Sequence, residues 1–413
     1  MTTFSIQSFG CRVNQAEAFA WAEEFQRHGL KFENDHRRAE LILLNTCTIT
    51  ARADRDVRRF LRRMARTNPQ ARLVVTGCYA EQAGEELDRI PQVWKIYPNR
   101  EKSRLAEEIL AELPIREPGT HHAFRSRPLV KIQDGCDFQC AFCIIPSVKG
   151  PSVSFPREKI VSRVRELFRE GYAEVGLTGV HLCLYGRDHR PRGSLIELLD
   201  DIDALEEPGR IRLTSLDPRF MNEDLCRKLA DSPKLQPHFH LSLQHGSDEV
   251  IRRMGRRITI SRYGEVLAFL RREVPGAALG ADIIVGFPGE TDDDFYGMRA
   301  FLEASPLDYF HVFSYSPRPG TEAAEWPQVD SRIVTERAAE LRALSTQRRQ
   351  EFHHRHLDTE RDAIVIKWGE KGVRILTDNY IDVEIPRCEV PEGGAVRVHI
   401  TELGEKGIQG RTA

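Results

Sequence analysis

No run of eighteen apolar residues occurs in the 413-residue chain, which excludes a membrane-spanning helix of ordinary length. The opening residues, "MTTFSIQSFGCRVNQ", lack a basic stretch followed by an apolar one. No secretory signal is therefore expected, no membrane partner is implied, and the expected location is cytoplasmic. Net charge is also nearly absent: 60 Lys and Arg face 62 Asp and Glu, for a balance of −2. That argues against coating nucleic acid by charge alone, while leaving room for a local basic footprint. There is no internal repeat and no low-complexity tract. Cysteine is sparse and odd in number, at nine. In a reducing compartment such thiols are ligands, catalysts or buried side chains rather than disulfides. What remains, with 40% apolar and 30% charged residues, is ordinary globular composition on a chain long enough for several domains.

The pattern divides the chain. Up to about residue 115, strands and helices alternate. "FSIQSFG" (4–10), "LILLNTC" (41–47) and "RLVVTGC" (72–78) read as short buried strands. Residues 14–28 and 52–67 read as helices, the second with Val57, Phe60, Leu61 and Met64 on a core-facing stripe. Alternation of this kind predicts an open parallel α/β sheet over 1–115. Pro, Gly and polar residues over 116–128 read as a linker. Six further strand–helix steps follow over 129–357, with strands at 129–133, 173–178, 210–215, 238–244, 279–285 and 308–315. They predict a partial βα barrel. In "HFHLSLQ", His238, His240, Ser242 and Gln244 share one face and Phe239, Leu241 and Leu243 the other; a polar inner face suits a lumen that holds a ligand. Residues 358–413 are short β-rich runs between Gly, Pro and Asn, as in a small OB-like β-barrel. The fold class is thus α/β and multidomain.

"KIQDGCDFQCAFCIIPSVKG" (131–150) places Cys136, Cys140 and Cys143 as C-x3-C-x2-C. Zinc would want four ligands, commonly as two pairs. No second pair follows, and His121 and His122 sit in the linker. A thioredoxin-type motif leaves Cys136 unexplained. A 4Fe–4S cluster fits: three thiolates hold three irons, and the fourth iron stays open for a ligand. Separately, each N-terminal strand ends in a cysteine, Cys11, Cys47 and Cys78. Ligands of open parallel sheets collect outside the carboxyl ends of the strands, so these three point to one shared site, the alternative being three unrelated buried thiols.

C-x3-C-x2-C after the first strand of a βα barrel resembles the radical S-adenosylmethionine superfamily. "SFGCRVNQAEA" (8–18), "NTCTIT" (45–50), "VTGCYAEQ" (75–82) and the I-P-x-x-x-G tail of the motif narrow the resemblance to its methylthiotransferases. Residues from about 360 are similar to their RNA-binding TRAM domain. The resemblance covers nearly the whole chain. It implies two 4Fe–4S clusters, one on Cys136, Cys140 and Cys143 and an auxiliary one on Cys11, Cys47 and Cys78, with S-adenosylmethionine as cofactor. An electron from the first cluster would cleave the sulfonium and yield a 5′-deoxyadenosyl radical. "LTGVH" (177–181) and "IVGFPGET" (284–291) resemble cofactor-binding segments; with the inner strand face they nominate Phe142, Thr178, Gly179, Ser242, Gln244 and Gly286 for S-adenosylmethionine. No catalytic residue beyond the cluster ligands is nominated. Cys183, Cys226 and Cys388 are read as non-ligand thiols.

"GCRVNQ", "TGVHLCLYG" (178–186) and "HVFSYSPRPGT" (311–321) are most similar to the branch that modifies carbon 2 of N6-threonylcarbamoyladenosine at position 37 of tRNA, 3′ of the anticodon. His245 and Cys183 depart from the usual pattern. The alternatives are isopentenyladenosine in tRNA, an aspartate of a ribosomal protein, and, outside enzymes, an RNA-binding protein with structural metal sites. The branch implies tRNA as partner and a low-potential electron donor such as flavodoxin or ferredoxin; the sulfur donor is not legible. Residues 50–72 carry eight arginines and two aspartates. Arg55, Arg58, Arg59, Arg62 and Arg66 lie opposite the apolar stripe and are candidate RNA contacts, against the plainer reading of a solvated helix face. Residues 360–413 carry eight basic and ten acidic residues, so RNA binding there would need stacking aromatics such as Trp368 and Tyr380.

Overall fold

A computed structural model of the chain describes residues 2–113, 125–370, 372–404 and 407–413. Most of the expected linker, with His121 and His122, lies outside the described residues.

The N-terminal sheet is parallel, with β1 (Thr3–Ser8), β2 (Lys31–Phe32), β3 (Leu41–Thr46), β4 (Arg72–Gly77) and β5 (Val93–Tyr97) in the order β2-β1-β3-β4-β5. Every residue of β3 is buried, because the strand is central and covered on both faces. Leu41 and Leu43 pack with Phe4 and Phe25 on one side, Ile42 and Leu44 with Val57 and Phe60 on the other. The helices Arg12–Arg27 and Ala51–Thr67 supply those faces. Asp54, in the first turn of the second helix, is buried with the apolar stripe; it accepts from Thr48 Oγ1 at 2.6 Å, and its charged partner lies in the next region.

That next region contains β6 (Leu129–Asp134), the two-residue β7 (Val153–Ser154), β8 (Glu174–Gly179), β9 (Arg210–Leu213), β10 (His238–His240), β11 (Ala278–Val285) and β12 (Tyr309–Ser314). Two sheets, β7-β6-β8-β9 and β10-β11-β12, are stitched by parallel bridges Ile211–Leu235 and Leu216–Leu241. The six long strands therefore form one curved parallel wall, with no pairing between β6 and β12 among the described residues. Outside it lie the helices Arg157–Arg169, Leu195–Asp203, Glu223–Asp231, Ile260–Glu273 and Asp292–Ala304. The alternation in 238–244 is as expected: Phe239, Leu241 and Leu243 enter the main core, while His238, His240, Ser242 and Gln244 line the lumen.

The last region, β13 (Glu360–Trp368), β14 (Val373–Thr377), β15 (Asp382–Ile385), β16 (Ala395–Gly404) and β17 (Gly407–Thr412), closes as the barrel β13-β14-β15-β17-β16. Val365, Ile375, Val383 and Val398 fill its centre.

Buried polar contacts tie the first two regions together. Arg318 donates to Thr48 Oγ1 at 2.8 Å and to Asp54 Oδ2 at 2.7 Å, which explains the buried Asp54. Glu17, 5% exposed at its side chain, receives Lys102 Nζ at 2.7 Å and Lys131 Nζ at 2.8 Å. Lys131 and Lys149 share Asp134 at 3.1 and 2.9 Å. The helix that follows Cys11 is thereby bound to the strand that precedes Cys136.

Candidate active site

The carboxyl edge of the N-terminal sheet is cross-braced around its cysteines. Cys11 is the N-cap of the helix Arg12–Arg27. Asn14, fully buried, donates to Phe9 O and to Thr46 O, both at 2.9 Å. One side chain thus holds the Cys11 and Cys47 loops together. Gly10 has φ +86°, and a Cβ there would lie 2.4 Å from both Cβ and Sγ of Cys47. Only glycine permits that approach. Gly77, at φ +102°, lies equally close to the Thr46 backbone, which brings Cys78 to the same edge. Burial and the Cys11 thiol beside it push Cys47 up to about 12. Burial raises Cys78 too, and Lys149 and Lys102 oppose it. Cys78 also packs on Ile144 and Val148, in the tail of the C-x3-C-x2-C loop.

That loop is held as firmly. Gly135 takes φ +68° with Pro151 O against its α-carbon. Cys136 N donates to Gly150 O at 3.1 Å and Cys143 N to Cys140 O at 2.9 Å. Gln133 donates to Gly135 O at 2.8 Å and accepts His181 N at 2.8 Å, locking the loop to the segment after β8. Burial pushes Cys143 up to about 12, with Cys140 and Cys136 adding to it, and burial likewise raises Cys136. Among the described residues, no three His, Cys, Asp or Glu side chains already form a closed metal site. Burial disfavours the charged form of Cys47, Cys78, Cys136 and Cys143 until a cation arrives.

The two sets meet. Cys11, Cys47 and Cys143 line one largely apolar cavity of about 520 Å³. It shares Cys11, Ile145, Gln244 and Asp282 with a second cavity of about 690 Å³, which runs into the barrel lumen past Thr178, Ser242 and His240. Cys78, Cys136 and Cys140 line neither cavity.

Comparison with known proteins gives the family. Residues 130–302 match the radical SAM superfamily, and residues 3–97 match a family described as uncharacterized protein family UPF0004. The chain is 36% identical to threonylcarbamoyladenosine tRNA methylthiotransferase MtaB of Aquifex aeolicus (strain VF5), covering 92% of this chain and 96% of that protein. It is 32% identical to the MtaB of Bacillus subtilis (strain 168), over 98% and 95%. The chain belongs to the radical SAM tRNA methylthiotransferases. A tRNA-2-methylthio-N(6)-dimethylallyladenosine synthase of Paracoccus denitrificans (strain Pd 1222) is also 32% identical, over 98% and 96%. Among solved structures, the radical S-adenosylmethionine methyltransferase TsrM from Kitasatospora setae superposes with a TM-score of 0.56 at 14% identity, over 78% of this chain and 74% of that one; this likeness is one of fold.

S-adenosylmethionine and 4Fe–4S clusters are the cofactors of radical SAM methylthiotransferases. The residues present fit them. Among the described residues each set offers three soft donors and no fourth, which would leave one iron per cluster for another ligand. Lys149 and Lys102 place positive charge beside Cys78, where bound thiolates would be anionic.

Of the residues nominated for S-adenosylmethionine, Thr178, Gly179, Ser242 and Gln244 line the larger cavity and Phe142 and Gln244 the smaller. Gly286 lines neither. A Cβ there would lie 2.3 Å from Val334, and its N–H donates to Glu290 Oε2 at 2.8 Å. Its glycine serves a tight turn and close packing. His245 is fully buried, 3.2 Å from the same carboxylate, so its departure from the usual residue is accommodated in the core. Among the arginines, Arg55, Arg59, Arg62 and Arg66 are exposed, whereas Arg58 turns back to donate to Tyr79 Oη at 3.1 Å. Trp368 is 44% exposed. Tyr380, expected as an RNA-stacking residue, instead stacks on His238 in the lumen wall at 4.2 Å. Sequence reasoning missed Arg12, Arg127, Arg212, Asp282 and His311, all in that wall; Asp282 and His311 lay at even spacing on expected strands and could have been found.

Cys183 and Cys226 are buried in the main core, and Cys388 in the core of the C-terminal barrel. Cys226→Ala and Cys388→Ala are expected to keep full iron content and near-native activity. Loss of iron in either variant would show that the ligands lie elsewhere.

Proposed function

We propose that the enzyme adds a methylthio group to carbon 2 of N6-threonylcarbamoyladenosine at position 37 of tRNA. The observation that carries this reading is the pair of adjoining cavities, in which thiols of both sets face one space continuous with a polar lumen. Five relatives with 32–36% identity bear the threonylcarbamoyladenosine name, which supports that substrate over the dimethylallyl one. In this reading Cys136, Cys140 and Cys143 hold the cluster that meets S-adenosylmethionine, and Cys11, Cys47 and Cys78 hold the auxiliary cluster. Bound, these groups supply the electron, the hydrogen abstraction and the sulfur. The protein's part is placement. Asn14 and Gly10 hold the Cys11 and Cys47 loops together, and Gln133 fixes the C-x3-C-x2-C loop. Ile49, Ile145 and Phe313 give both cavities apolar surface. Ser242 accepts or donates with Ser215 at 2.7 Å, presenting paired hydroxyls to a bound ribose or amino-acid group.

The proposed division is 1–115 for the methylthiotransferase domain, 116–128 for a linker, 129–357 for the radical SAM domain and 358–413 for the TRAM domain. No helix among the described residues is long and apolar enough to cross a membrane, and a cytoplasmic site with a flavodoxin- or ferredoxin-like donor is proposed with it. The test is mass spectrometry of tRNA nucleosides from a strain lacking the gene. The 2-methylthio form of threonylcarbamoyladenosine should vanish and its unmodified precursor accumulate. Loss of the isopentenyl form instead would reassign the substrate.

The exposed arginine face is proposed as a phosphate contact. Replacing Arg59 and Arg62 with Gln should weaken tRNA binding and flatten its dependence on salt by about two charges, because fewer counterions are released. A slope equal to the native one would place the RNA footprint on another surface.

A further inference from the structure

The wall of the larger cavity carries a cluster of guanidinium groups that neither thiol set uses. Glu174, fully buried, serves two of them: Arg212 donates through Nε and Nη2, both at 2.8 Å, and Arg127 at 3.1 Å. Arg12 has only neutral partners, Gln15 Oε1 and Tyr380 Oη, each at 3.1 Å. Arg125 shares the same Gln15 oxygen at 3.1 Å. Among the described residues, neither Arg12 nor Arg125 has a carboxylate partner. Tyr380, stacked on His238, sits under the guanidiniums of Arg127 and Arg212 at 5.6 and 5.2 Å. Burial raises its hydroxyl, but Arg12 and Arg127 override this and hold it below the ordinary phenol range. Arg125 is pushed down to about 10 by burial, with Arg12 and Arg127 adding to it.

Polar atoms nearby are also unspent. His240 is 8% exposed and neither of its ring nitrogens completes a hydrogen bond, although Nε2 is 3.4 Å from Asp282 Oδ1. Nη1 of Arg212, a residue 4% exposed, and Nδ1 of His238 are likewise unpartnered. Buried donors without acceptors are costly, and buried cations without counter-charge more so. Both costs fall if the ligand brings an anion. Arginine's planar fork suits a carboxylate.

We propose that Arg12, flanked by Arg127, His240 and Tyr380, binds the carboxylate of the substrate's threonylcarbamoyl group and so selects threonylcarbamoyl- over isopentenyladenosine. The proposal rests on the substrate reading above. A neutral isopentenyl group would leave the same donors dry and unpaired. The shared chemistry is anion binding, for which a backbone phosphate is the other source. The cluster's place in a cavity wall, facing the lumen, favours an anion carried on the base.

The test uses the holoenzyme with both clusters and four anticodon stem-loops. These carry threonylcarbamoyladenosine, its neutral methyl ester, isopentenyladenosine or plain adenosine at the target position. Dissociation constants and turnover are measured for wild type and Arg12→Gln, with iron content checked. Wild type should bind the free acid roughly tenfold or more tighter than the ester, the scale of a hydrogen bond to a charged group. Arg12→Gln should lose that preference and leave affinity for plain adenosine RNA unchanged. Should Arg12→Gln lose iron, Tyr380→Phe, which removes the hydroxyl partner of Arg12, should still narrow the acid–ester gap. Equal weakening toward all four RNAs would make Arg12 a phosphate contact and overturn the proposal. So would a wild-type enzyme that turns over the acid yet binds acid and ester alike. Turnover of isopentenyl RNA alone would instead overturn the substrate reading.

Discussion

Cys140→Ala is expected to abolish reductive cleavage of S-adenosylmethionine, while Cys47→Ala leaves cleavage running and forms no methylthio product. The two thiol sets occupy different supports. Cys140 belongs to a loop anchored by Gly135, Gln133 and the Ala141 N to Met254 O bond of 3.1 Å. Cys47 is anchored by Asn14 and Gly10 on another sheet. Loss of one anchor point leaves the other set of three donors whole. With two thiols instead of three, the cluster that meets the sulfonium is lost or loses its potential, and 5′-deoxyadenosine should fall to background. The Cys47 variant should still release 5′-deoxyadenosine under a chemical reductant, uncoupled from product. Chromatography of 5′-deoxyadenosine and of digested tRNA separates the two. Native product from Cys47→Ala, or continued 5′-deoxyadenosine from Cys140→Ala, would refute this division of labour. Replacing Cys11, Cys47 and Cys78 together should halve the iron content.

The largest expected loss of stability comes from Glu17→Ala. Burial alone pushes the Glu17 carboxyl up, but Lys102, Lys131 and Lys149 override it and hold it well below the ordinary carboxylate range. Removing it strands Lys102, whose side chain is 8% exposed, beside two further ammonium groups. A buried charge left without its partner costs about 3–5 kcal/mol. Because the network joins the first helix to β6, the loss should show both as a lower melting temperature and as faster proteolysis between the first two regions. Adding Lys102→Met should recover much of it, since both members of the pair are then gone. A loss below about 1 kcal/mol would mean that the pair behaves like a surface one. The sign with pH follows: a depressed carboxyl contributes stability that is complete above its unfolded value and is lost as pH falls through the folded one. Acid should therefore loosen this joint, and Glu17→Ala should remove that part of the acid sensitivity.

How far the sequence carried the argument depended on separation along the chain. C-x3-C-x2-C was legible as a motif because its three thiols lie within eight residues. The lumen face of 238–244 was legible because a strand alternates with period two. The strand-end cysteines were legible because parallel sheets gather their loops at one edge. The joint of Asp54 with Arg318 was not, being 264 residues apart; nor was Arg12 with Tyr380, 368 apart. Such pairs leave no periodic trace. Gly286 shows that a glycine at a strand end signals a turn as readily as a ligand. Tyr380, named beside Trp368 for stacking, has a φ of +71° and lies on His238 in the lumen wall, which no local pattern announces.

That placement has a bearing on the order of assembly. Tyr380 lies between β14 and β15, near the end of the chain, and chains leave the ribosome from the first residue onward. The thiols, Glu17 and all six lumen strands are made before it. The chamber wall therefore lacks one panel until almost the last residues appear.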